Sequence, residues 1–132
     1  MREILFRGKR IDNGEWVEGF LLKECNYATC SWNLAIEYKT DRFGKFAYDV
    51  AEVVAETVGQ FTGKTVKSGK VFYGDVCKSI DGVFLVCWDE EKSAFVMRFL
   101  EYPFETLYLE EMWDDAEIIG NIHDNPELLE NP

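Results

Sequence analysis

Hydrophobic positions along this 132-residue chain fall in short runs rich in β-branched and aromatic residues, each closed by a polar or glycine-containing break. Runs of that kind, bounded by turn residues, predict strands rather than helices. Residues 3–8 (EILFRG) and 15–22 (EWVEGFLL) predict two strands about a turn at Asp12–Gly14. Through 23–48 the pattern weakens. NLAIEY predicts a strand, whereas KTDRFGKFAY, with polar and aromatic residues mixed, predicts a loop. Residues 49–58 place Val50, Val53, Val54 and Thr57 at helical spacing, but their β-branched content and the following Gly59 favour a strand.

The strongest signal lies further on. KVFYGDVCKSI and VFLVCW flank Asp81–Gly82, the sequence of a two-residue hairpin loop. That loop would pair Ile80 with Val83, Lys78 with Leu85 and Val76 with Cys87. Cys77, Ser79, Phe84, Val86 and Trp88 would then share the opposite face. Both faces are mostly apolar, as in a strand pair buried inside a barrel or sandwich. AFVMRFL (94–100) predicts the next strand, after a turn at 89–93. FETLYLEEM (104–112) fits either a strand or a short helix, and AEIIGNI (116–122) predicts a strand. Asp124 or Asn125 as cap, Pro126 at the first helical position and Glu127 in the first turn predict a short C-terminal helix. The expected class is mainly β, in what is most simply one domain.

Four glycines in VGQFTGKTVKSGKVFYGDV (58–76) raise the question of a phosphate-binding loop. Such a loop needs a spaced glycine pattern opening a helix. GQFTGK (59–64) is one residue too short, and a strand follows. Gly59, Gly63, Gly69 and Gly74 are therefore expected to turn the chain and to hold nothing.

Charge divides the chain unevenly. Residues 1–100 carry 14 basic and 15 acidic side chains, while 101–132 carry ten carboxylates and no lysine or arginine. Such a surface repels nucleic-acid phosphates and attracts a basic partner or a basic patch on a second copy. Solubility alone also accounts for it. The N-terminus lacks the long apolar run of a signal peptide, and no window approaches the roughly 20 apolar residues of a membrane helix. The expectation is a cytoplasmic protein without membrane or direct nucleic-acid contact, with reduced thiols.

Candidate chemistry is sparse. Cys25 and Cys30 have a spacing that zinc permits, but Cys77 and Cys87 would point to opposite faces of the hairpin, so no four-cysteine site is expected. The lone His123 stands beside Asp124, a pairing a strand would split between its faces. The acidic pairs Glu90–Glu91, Glu110–Glu111 and Asp114–Asp115 lack the alternating oxygen ligands of a calcium loop. No cofactor, metal or catalytic set is expected. The residues singled out are Glu110, Glu111, Trp113, Asp114 and Asp115. There an aromatic rimmed by acids can anchor a basic partner, although core packing is the favoured role for Trp113.

ETVGQFTG (56–63), the polar loop after it and GKVFYGDV (69–76) resemble the YopX family of phage and prophage proteins. So do the opening REILFRGKRIDNGEWVEG and the closing EIIGNIHDNPELL (117–129). Tyr73 departs from the acidic residue usual before Gly74–Asp75, and the Gly69–Gly74 segment is one residue shorter than usual. The resemblance implies a single β-rich YopX-like domain over 1–132 with a small SH3-type barrel, encoded by a mobile element, and no catalytic residues. Within it, an N-terminal β subdomain (1–55) would pack on a barrel core (56–132). Three functions follow as expectations: a non-enzymatic, oligomeric interaction module; an acidic decoy for the basic groove of a host nucleic-acid-handling protein; and a small hydrolase using His123.

Overall fold

A computed structural model describes residues 3–42, 45–102 and 105–130. The chain divides into two compact units, Met1–Gln60 and Phe61–Pro132. The first is an antiparallel meander of β1 (Phe6–Lys9), β2 (Trp16–Asn26), β3 (Ser31–Arg42) and β4 (Lys45–Glu52), in the order β4-β3-β2-β1. The start of β5 (Gly59–Val66) continues the order, with Gly59 and Gln60 opposite Arg7 and Phe6. Alternate residues face inward, so Val17, Ile36, Ala51 and Val53 form a core against which Phe6, Leu21, Leu34, Tyr38 and Val58 pack. At one end the sheet curls back on itself through a lone bridge, Arg10 to Val53, and a 2.8 Å bond from Val54 N–H to Lys9 O. Thr57, in a 3-10 turn at Ala55–Thr57, locks that corner. Its hydroxyl oxygen accepts Lys9 N–H at 2.9 Å and its proton goes to Val54 O at 2.6 Å.

Two expectations change here. KTDRFGKFAY is not a loop: residues 39–42 continue β3 and 45–48 open β4, while Phe43 and Gly44 lie outside the described residues. Tyr38, Lys39 and Thr40 pair with Asp49, Tyr48 and Ala47. One side of this ladder faces solvent, so polar residues belong in it. The strand expected over 49–58 ends at Glu52, and the 3-10 turn takes its second half.

The second unit pairs the rest of β5 with β6 (Gly69–Phe72). It then builds a five-stranded antiparallel sheet from β7 (Asp75–Ser79), β8 (Gly82–Asp89), β9 (Ala94–Phe99), β10 (Thr106–Tyr108) and β11 (Glu117–Asn121), in the order β10-β9-β8-β7-β11. The hairpin is present with its register moved by two residues. Ser79 pairs with Gly82, Lys78 with Val83 and Val76 with Leu85, which puts Ile80 and Asp81 in the loop. Gly82 has φ +127°, open to glycine alone, and this ends the turn one residue early. Ile80, expected in the ladder, is 79% exposed. A slip of two leaves every side chain on its expected face, since the period is two. Cys77, Phe84 and Val86 are buried on one face and Val76 on the other.

Gly63, Gly69 and Gly74 take positive φ, at +92°, +134° and +92°. Gly63 stands where the β5–β6 register breaks, Gly69 opens β6, and Gly74 turns the chain into β7. Three of the four glycines thus bend or turn the chain as expected, whereas Gly59 is a strand residue paired with Arg7 at the start of β5. The mainly β class holds, but among the described residues the SH3-type barrel is not closed, because the edge strands β10 and β11 do not pair with each other. β10 is three residues long, and the chain leaves it to cross the sheet instead. The expected C-terminal helix is a 3-10 turn, Pro126–Leu129. Asn125 Oδ1 accepts Asn121 N–H at 3.3 Å rather than capping that turn. No helix of the described residues is long and apolar enough to cross a membrane.

Candidate functional site: an acidic strap

β10 and β11 lie at opposite edges of the five-stranded sheet. Residues 109–116 must therefore cross about four strand spacings of roughly 4.8 Å each. They do so as a strap. Leu109, in a 3-10 turn at Leu109–Glu111, together with Met112 and Ala116, is buried in one core with Val71, Cys77, Phe84, Val86, Met97 and Phe99. The residues between these anchors, Glu110, Glu111, Trp113, Asp114 and Asp115, are exposed. The alternation of buried and charged positions explains how so acidic a segment docks: three apolar side chains face the core while the carboxylates keep their water. These five exposed residues are the ones singled out from sequence, and one segment brings them together.

Trp113, expected in the core, does not pack there. It is 55% exposed, and its indole N–H donates to a carboxylate oxygen of Asp81 at the β7–β8 turn. The sequence pattern assigns Asp81 only to the turn. Its second role has no local signal, because its partner is 32 residues away. Lysines border the strap. Lys64 Nζ donates to Glu110 O at 3.1 Å and, with Lys67, Met112, Trp113 and Asp114, lines a cleft of about 290 Å³. A second cleft, about 460 Å³, runs past Lys67, Ser68, Asp114, Asp115 and Glu117. Ser68 Oγ accepts Ile118 N–H at 3.0 Å there. All ten carboxylates of residues 101–132 are exposed.

The other candidates take these places. His123 is not on a strand but in the turn after β11. Asn121 Oδ1 accepts the backbone N–H groups of both His123 and Asp124 at 2.9 Å, and Asn121 Nδ2 donates to the Asp124 carboxylate at 3.2 Å. Among the described residues no three His, Cys, Asp or Glu side chains gather as a metal site. The cysteines are in no disulfide: Cys77 is buried, Cys30 exposed, and Cys25 and Cys87 half-buried. Burial pushes the Cys87 thiol pKa up. The GQFTGK stretch lies within β5, and Thr62 uses its hydroxyl internally, donating to Val71 O at 2.7 Å and accepting Lys64 N–H at 3.2 Å. Asp75, only 1% exposed, accepts Phe72 N–H at 2.8 Å and holds the β6–β7 corner.

The fold and the strap together define a mainly β protein of two antiparallel units, one of which displays an acidic outer face. The family model described as YopX protein matches residues 5–130, nearly the whole chain, and the chain belongs to that family. No curated protein matches it.

Proposed function

We propose that this YopX-family protein is a non-enzymatic, cytoplasmic interaction module of phage or prophage origin, working as an oligomer and receiving a basic protein partner on its strap. The observation that carries this reading is the division of labour within residues 109–116. Leu109, Met112 and Ala116 are buried in the core, while Glu110, Glu111, Trp113, Asp114 and Asp115 between them face outward. An exposed tryptophan among carboxylates suits a basic partner with an apolar anchor point. The test is affinity purification from host lysate with the native protein and with a Trp113→Ala, Asp114→Asn, Asp115→Asn variant. A basic protein retained by the first and lost by the second supports the reading, and identical retention by both overturns it. Light scattering on the purified chain tests self-association.

Exposure of all ten C-terminal carboxylates favours a second reading, the acidic decoy. A decoy must offer its charges at duplex phosphate spacing. Glu105 and Glu117 stand at opposite edges of the sheet, however, and the charges spread across it. Salt-sensitive displacement of duplex DNA from a basic host protein supports the decoy, and binding of that protein without displacement rules it out.

A further inference from the structure

Beside the β7–β8 turn lies a cavity of about 350 Å³, lined by Asp81, Phe99, Tyr102, Glu105 and Leu107. Two backbone bonds border it: Tyr102 N–H donates to Phe99 O at 3.2 Å, and Glu105 N–H donates to Tyr102 O at 3.1 Å. Phe99 is buried, whereas Tyr102, Leu107, Asp81 and Glu105 are exposed. Leu107 is held by its pairing with Met97 on β9. The Trp113 indole fixes one oxygen of the Asp81 carboxylate.

Charge sets this cavity apart from its neighbours. The clefts along the strap contain Lys64 and Lys67. The adjoining cavity, which shares Glu105 and Leu107, contains Lys92 and Arg98. Among the described residues, the Asp81–Glu105 cavity is lined by two carboxylates, two aromatic rings and Leu107, and by no cation. The nearby Lys92 ammonium is committed elsewhere, donating to Thr106 O at 3.0 Å and Thr106 Oγ1 at 2.9 Å. The volume is at the low end of small-ligand pockets, which begin near 300 Å³, so it suits one long side chain better than a nucleotide. A planar cation meets all of these features: its edge bonds carboxylates and its face stacks on a ring.

We infer that this cavity receives an arginine side chain of the basic partner, with Asp81 and Glu105 bonding the guanidinium and Tyr102 stacking on it. The inference rests on the proposed reading of a basic partner and adds the side chain that partner inserts.

The test uses the full chain and two probes, acetylated hexa-arginine and acetylated hexa-lysine, titrated by calorimetry at about 0.15 M salt, where exposed charges more than about 8 Å apart are screened. Far-UV circular dichroism confirms that each variant is folded. Expected are tighter binding of hexa-arginine than of hexa-lysine, and a loss of about five- to tenfold for Glu105→Gln and for Tyr102→Ala. A Glu110→Gln, Glu111→Gln control should move hexa-arginine binding less. If Glu105→Gln and Tyr102→Ala bind like the native chain while neutralising the strap abolishes binding, the cavity proposal fails and the strap reading survives. If the native chain binds neither peptide, both fail.

Discussion

Two three-stranded meanders, β2–β3–β4 and β7–β8–β9, share an antiparallel plan and differ in what covers them. The first buries one face, through Val17, Leu21, Leu34, Ile36 and Ala51, and on the other buries Ala35 but leaves Phe20, Tyr48 and Val50 exposed. The second buries Cys77, Phe84, Val86, Met97 and Phe99 beneath its own downstream chain, the strap. The acidic segment is therefore not a loose solubilising tail. Its anchors Leu109, Met112 and Ala116 belong to a hydrophobic core, and its charges stand between them. The units also differ in charge: from residue 61 onward the chain has 6 basic and 15 acidic side chains, and before it 8 and 10.

The largest expected contrast is between two phenylalanines. Phe84→Ala should cost about 3–5 kcal/mol, as a fully buried ring leaves a cavity. Phe20→Ala, at a position 55% exposed, should cost less than about 1 kcal/mol. Urea denaturation measures both, and equal costs would mean that the outer face of the first meander is covered in solution. Next comes the strap. Leu109→Ala should cost about 2–5 kcal/mol and raise amide exchange in β8 and β9, whereas Glu111→Gln should change neither. A strap released without loss of stability would return the acidic segment to the role of a tail.

Gly19→Ala probes the first meander by the opposite route. A methyl group there would collide with the Glu37 carbonyl oxygen, so overpacking should cost about 1–3 kcal/mol. Thiol labelling separates the units more gently. Cys30 should react first, Cys87 slowly because burial holds its pKa up, and Cys77 only on unfolding. The smallest effect belongs to Asp12, which Arg10 binds at 2.8 Å. That hydrogen bond holds the carboxylate below its usual pKa. Its contribution is present above the ordinary carboxylate range and fades as pH falls through the lowered value. Asp12 is exposed and Arg10 only half-buried, so added salt should erase most of it.

Local chemistry alone specified most of the strands and corners. Short runs of β-branched and aromatic residues mark β2, β7, β8, β9 and β11, and Gly63, Gly69 and Gly74, with positive φ, mark bends that other residues resist. Which side chains share a face of the β7–β8 hairpin was also legible, since a period of two survives a register slip of two. The register itself was not, because it depended on the backbone angle at Gly82 within the finished sheet. Residues 39–42 and 45–48 carry a loop-like pattern because a strand with one wet face has a weak pattern. The burial of Leu109, Met112 and Ala116, the Trp113–Asp81 bond and the Asp81–Glu105 cavity belong to tertiary structure alone. Each joins residues far apart along the chain. Hydrophobic cover and hydrogen-bond partners at such separations are chosen by where the strands end in space, which no local run of residues encodes.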